Sequence, residues 1–249
     1  MNVPKSISIN PELNDALRAL LAMGAYLVVW IAAANGMGGL PGQWMFTLAV
    51  FLPAPVALYA LRVGALRMRA PVTAVTEGAT AAAAMALAML ALIGSRPGLT
   101  GTLSALPATV TAAVIIALTE ELIFRGAVLS AISRHFGYLW GIFISALIFG
   151  TLHLNAGVGA GLSATLAGVA LGGLYMRAGL GGCIVFHAIY NIMVGPIFGL
   201  NLGGIPWPGL LEAGCPIDPL DNPWVLLGFS LLALAWLPYQ LINQKPIKR

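Results

Sequence analysis

Apolar residues run along most of this chain in long stretches, broken at intervals by short polar or charged segments. A membrane-crossing helix needs about 20 mostly apolar residues. Eight stretches meet or approach that length: 19–35, 44–61, 73–93, 106–127, 137–155, 160–177, 181–199 and 223–242. The pattern predicts an all-α, polytopic transmembrane bundle of about eight helices. Residues 1–18 form a polar segment without the early apolar core of a cleaved leader, so the first apolar run is expected to stay as an anchor. The organisation expected from the pattern is a polar segment over 1–18, N-terminal membrane helices over 19–105, a helical core over 106–199, and a loop, last helix and basic tail over 200–249.

Composition agrees. Of 249 residues, 59% are hydrophobic and 8% charged, with mean hydropathy +0.92. A soluble domain carries roughly 25% charged residues, so this surface suits lipid rather than water. The net charge of +4 does not imply nucleic acid, because the basic residues sit near helix ends and in the tail and form no stripe. They favour alternate loops. Lys5 and Arg18 precede the first helix; Arg62, Arg67 and Arg69 follow the second; Arg134 and Arg177 follow the fourth and sixth; Lys245, Lys248 and Arg249 end the chain. Arg96 is the exception. That bias predicts both termini on the cytoplasmic side of the inner membrane. Trp44, Trp207 and Trp224 fall near helix ends, as an interfacial belt would require. Cys183 and Cys215 fall at opposite faces of this topology and are not expected to pair.

Small residues recur every four positions at Ala160, Ala164, Gly168 and Gly172, a spacing that lets helices approach closely in lipid. The expectation is packing without chemistry. His135 beside Arg134 reads as a solvated loop residue, and Glu77 as an interfacial one.

Ionisable groups inside an apolar helix are costly and point to function by default. Three clusters qualify. Glu120, Glu121 and Arg125 lie in the fourth helix. Glu121 and Arg125 are spaced i, i+4 with the acid first, the better order for a helical ion pair. Glu120 is turned about 100° away and is available for other work. A desolvated carboxyl titrates higher than usual, which suits a general base. Phe149 and His153 share a face of the fifth helix. His187 and Asn191 share a face of the seventh, where an imidazole N–H and an amide N–H could form an oxyanion hole. Together they allow a hydrolytic site: water held by Glu120 and His153, a carbonyl held by His187 and Asn191. Two other readings fit the same residues. A non-catalytic membrane binder (an immunity or recruitment protein) would need no base aimed at an oxyanion site. A transporter or proton channel would use intramembrane acids and imidazoles as an ion path, though no internal repeat is visible.

These motifs, E-E-x-x-x-R, F-x-x-x-H and H-x-x-x-N in that order, resemble those of the type II CAAX prenyl proteases and their bacterial relatives, the CAAX protease and bacteriocin-processing family. The resemblance covers roughly residues 105–200. It implies a glutamate-type intramembrane endopeptidase acting near the C-terminus of a membrane-associated protein or peptide. Glu120 and His153 would activate water, His187 and Asn191 would stabilise the oxyanion, and Glu121, Arg125 and Phe149 would support the site. Membrane lipid is the expected surrounding, with no nucleic acid partner and no cofactor. A zinc-dependent version of the same peptidase is the alternative, disfavoured because no H-E-x-x-H pair is present.

One tension is built into this reading. Glu120 falls about 13 residues from the outer end of its helix, and His153 about 16 residues from the inner end of the next. Their depths then differ by more than a hydrogen bond spans. The helix boundaries are expected to move.

Overall fold

A computed structural model describes residues 72–93, 98–99, 103–200, 207, 209–212, 220 and 222–242. The first two expected membrane helices, the polar segment 1–18, Trp44 and Cys215 lie outside the described residues.

The described chain is helical apart from short turns and one two-residue antiparallel pairing. Helix α1 spans Val72–Ile93. Helix α2 spans Leu106–Glu121, continues as a π-helix over Leu122–Leu129, and resumes as α3 over Ser130–Phe136. Helix α4 spans Tyr138–Thr151 and α5 spans Val158–Ile192. A second π-helix follows over Met193–Ile197. Helix α6 spans Pro223–Ile242. Strands β1 (Gly98–Leu99) and β2 (Leu211–Glu212) pair Gly98 with Glu212 and Leu99 with Leu211.

Element α5 is two helices. Gly179 has φ 65° and ψ −170°, a conformation open to glycine because no Cβ clashes there. The Cys183 thiol donates to the Leu171 carbonyl at 3.2 Å. Twelve residues of straight helix would separate the two by roughly 18 Å, so the chain reverses at Gly179. The first arm (158–178) and the second (180–197, including the π-helix) are roughly 31 and 27 Å long at 1.5 Å per residue, near the roughly 30 Å of a bilayer's hydrocarbon core. The split expected between 177 and 181 is this turn.

The boundary of the fourth expected helix is corrected. It ends at Phe136 rather than 127, and the chain turns at Gly137 directly into α4. Glu120 then precedes the turn by 16 residues (136 − 120), while His153 lies 15 residues past the start of α4 (153 − 138). The depth mismatch disappears. Charge misled the reading: Arg134 and His135 looked like loop residues, but they occupy the last turn of α3, with His135 exposed.

Among the described residues, Val158–Ile197 is the run long and apolar enough to cross a membrane, with shorter apolar helices at Val75–Ala91, Tyr138–Thr151 and Pro223–Leu237. Large apolar side chains face outward on α4 (Leu139, Trp140, Phe143, Leu147) and α6 (Leu227, Leu231, Leu234). Water would penalise such faces and lipid would not.

The small-residue stripe is the α4–α5 contact. Ala160, Ala164, Gly168 and Gly172 are all buried. A Cβ on Gly168 would lie 2.7 Å from the Ala146 Cα, and one on Gly172 would lie 2.8 Å from Ile142. Alanine favours helix over glycine by about 1 kcal/mol, but here backbone would have to move. Gly168→Val is therefore expected to destabilise the protein by about 1–3 kcal/mol, the usual cost of overpacking. Thermal unfolding in detergent checks this, and a melting temperature equal to the parent's would refute it.

Glu77 is more than interfacial. It accepts from Arg177 Nη2 at 2.8 Å and from Trp236 Nε1 at 2.9 Å. One carboxylate thereby ties α1, the first arm of α5 and α6 together.

Candidate active site

The site begins where α2 becomes a π-helix. All eight residues from Leu122 to Leu129 are buried. Single π-turns inside helices are uncommon and frequently mark functional positions, because the wider turn displaces side chains and backbone carbonyls from the regular ladder. Hydroxyls meet those carbonyls here. Ser145 Oγ on α4 donates to the Phe124 carbonyl at 2.9 Å. Ser130 Oγ donates to the Arg125 carbonyl at 3.0 Å and lies 3.0 Å from the Tyr175 hydroxyl. The second π-helix, carrying Pro196, starts two residues after Asn191. Two of the three helices that bring motif residues to the site thus loosen at those residues or just beyond them.

Glu121 and Glu120 are adjacent in sequence and differ in their surroundings. Glu121 is fully buried. Its Oε1 accepts from Arg125 Nη1 at 2.8 Å and from His187 Nδ1 at 2.8 Å. Glu120 keeps 15% of its side chain exposed, and its nearest ionic neighbour is His187 Nε2 at 3.7 Å. That separation is too long for a hydrogen bond. One imidazole therefore stands between two carboxylates, bonded to Glu121 and facing Glu120.

Phe149 organises the rest. The Arg125 guanidinium lies over its ring, 4.9 Å from the centroid. A desolvated cation–π contact of this kind is worth about 2 kcal/mol. The His153 ring centroid is 4.6 Å away, that of His187 is 6.3 Å away and edge-on, and that of Phe124 is 5.0 Å away. Both motif histidines therefore flank one aromatic ring. His153 lies just past the end of α4, with φ −96° and ψ 0°, rather than within the helix. Its Nδ1 is 2.9 Å from the Phe149 carbonyl. A carbonyl only accepts, so Nδ1 is the donor in this bond, and in the neutral imidazole Nε2 is the acceptor.

Asn191 is buried one turn beyond His187, and no hydrogen bond among the described residues engages its amide. Tyr190, on a different face of the helix, points elsewhere: its hydroxyl contacts Met89 Sδ at 3.8 Å and its ring packs on Phe229. Asn155 is exposed in a 3-10 turn.

Sequence reasoning did not anticipate three features. The π-helix has no compositional signature. The His187–Glu121 bond joins residues 66 positions apart. Ser145 acts on a backbone carbonyl, which spacing does not reveal.

Zinc would need several converging donors. Among the described residues no group of three His, Cys, Asp or Glu side chains is placed to hold a metal ion, and Glu121 already serves Arg125 and His187.

Residues 102–193 match the family described as Rce1-like, type II CAAX prenyl endopeptidase Rce1-like. No curated protein and no solved structure matches the chain. The matched segment contains all three motifs, and the fold gathers Glu120, Glu121, Arg125, Phe149, His153 and His187 around one ring and one imidazole. Through this segment, a little over a third of the chain, the protein is similar to the type II CAAX prenyl endopeptidases.

Proposed function

We propose that this protein is a multipass glutamate-type intramembrane endopeptidase of the inner membrane, built from about eight spans with both termini cytoplasmic. It hydrolyses a peptide bond near the C-terminus of a membrane-associated protein or peptide, without a metal or other cofactor. The observation that carries the reading is the contrast between neighbours: Glu121 is committed to Arg125 and His187, while Glu120 keeps a partly exposed carboxylate, not hydrogen-bonded among the described residues, beside an imidazole.

In this mechanism Glu120 takes a proton from water, which the Nε2 lone pair of His153 orients by accepting its other hydrogen. The water oxygen bonds to the scissile carbon, and the carbonyl electron pair moves onto oxygen. His187 Nε2–H and the Asn191 amide stabilise that negative charge. Because Nδ1 already donates to Glu121, His187 performs this role as an imidazolium. Collapse of the intermediate breaks the C–N bond, and the proton held by Glu120 passes to the departing amine. The 3.7 Å gap between Glu120 and His187 suits a resting site, since catalytic contacts tighten when substrate binds.

Asn191→Leu separates the oxyanion role from simple packing. The substitution keeps the branched shape and heavy-atom count of the side chain and removes the amide. It is expected to lower kcat by about 10²–10³-fold, as loss of one oxyanion donor does, with KM little changed. Steady-state kinetics on a peptide substrate in proteoliposomes measures both. An effect confined to KM would assign Asn191 to substrate binding instead.

A further inference from the structure

Trp207 is not part of an interfacial belt. Trp224 is half exposed, as a belt residue would be, but Trp207 is 5% exposed and sits between two helices. Its indole packs with Ala112 and Ala113 of α2, and with Ile115, Ile116 and Ile192 around them. The ring also lies on Gly195: a Cβ there would meet the indole Cδ2 at 2.7 Å. Backbone bonds hold the flanking chain in place. Gly199 N donates to the Gly195 carbonyl at 2.7 Å and Leu210 N to the Pro196 carbonyl at 2.8 Å. Leu211–Glu212 pairs with Gly98–Leu99, just ahead of α2.

The positions of those contacts are informative. Ala112 and Ala113 lie two turns before Glu120, with Ile116 packed against them one turn before it, and Gly195 lies four residues beyond Asn191. Its buried contacts Ala112 and Ala113 lie two turns, roughly 10–12 Å, before the general base along α2, while Gly195 lies roughly 6 Å beyond the oxyanion amide. A peptide lying between Glu120 and Asn191 meets that ring at one end. We infer that Trp207 forms the end wall of the site and sets the size of the substrate side chain accepted next to the scissile bond. Trp207 lies outside the family match, which ends at residue 193. The selectivity half of the inference rests on the peptidase reading; the wall itself does not.

Two measurements test it separately. In the full-length protein with Cys183→Ser and Cys215→Ser, a single reporter is introduced as Ile116→Cys. Its labelling rate by a small charged methanethiosulfonate reagent is followed with and without Trp207→Gly. Labelling at least ten-fold faster without the indole supports the wall, and an unchanged rate overturns it. Should Trp207→Gly fail to fold, Trp207→Leu takes its place. Gly195→Val dislodges the ring from the opposite side and is expected to accelerate labelling as well; no acceleration there overturns the seating of the ring on Gly195. Selectivity is read as kcat/KM for a peptide pair differing only in a small or bulky residue beside the cleaved bond. Trp207→Gly is expected to favour the bulky peptide by at least ten-fold relative to the parent. Faster labelling with an unchanged ratio overturns the specificity role. If the parent cleaves neither peptide while Trp207→Gly still speeds labelling, the peptidase reading fails and the wall stands.

Discussion

Glu120→Gln is expected to reduce peptide-bond hydrolysis by about 10²–10⁴-fold, the range that a positioned general base supplies, while leaving thermal stability close to that of the parent. The two halves of this expectation have separate causes. Gln keeps the size of the side chain and its hydrogen-bonding capacity but cannot take the proton from water. Stability should be preserved because, among the described residues, the ionic neighbour of Glu120 is 3.7 Å away and its side chain is partly exposed. Mass spectrometry of peptide products from proteoliposomes gives the rate, and unfolding in detergent gives the stability. Cleavage at the parent's rate by a folded Glu120→Gln protein would remove Glu120 from the mechanism. Loss of folding would show that the carboxylate is structural, as Glu121 is. A non-catalytic binder would keep its phenotype when Glu120→Ala and His153→Ala are combined, whereas a peptidase would lose it.

Much of this site was legible in the sequence because burial of charge in an apolar helix is so costly that each instance needs a reason. The i, i+4 spacing of Glu121 and Arg125 forecast the ion pair that the structure contains, and the 100° offset of Glu120 forecast its different surroundings. The small-residue stripe likewise forecast a close helix contact. Helix ends were less legible. Arg134 and His135 looked like a loop because they are polar, yet a helix end facing water carries such residues without breaking. The turn at Gly137 then moved Glu120 and His153 to matching depths. The π-helix from Leu122 was not readable at all, since no residue pattern marks it and the hydroxyls of Ser145 and Ser130 that meet its carbonyls are a tertiary feature. Trp207 was misread for a related reason. An aromatic near a helix end looks interfacial unless a facing glycine, here Gly195, leaves room for it to insert.

Arg125→Ala is expected to destabilise the protein by about 3–5 kcal/mol, the cost of leaving one partner of a buried ion pair alone. The geometry argues for the upper part of that range. Arg125 is 1% exposed and Glu121 0%, so water cannot replace the lost guanidinium. The same substitution removes the cation from the Phe149 ring and leaves a void beside it, where both histidines pack. Activity should fall too, through His187, because the carboxylate that holds Nδ1 loses its second donor and its fixed position. Arg125→Met combined with Glu121→Gln removes both charges and fills the space. The amide oxygen introduced by Glu121→Gln can still accept from His187 Nδ1, so the double variant is expected to be more stable than Arg125→Ala alone. Chemical or thermal unfolding of the three proteins in one detergent measures the difference. A cost below about 1 kcal/mol for Arg125→Ala, the range of exposed ion pairs, would mean that the pair is solvated in the folded protein. The partition between a structural Glu121 and a chemical Glu120 would then lose its physical basis.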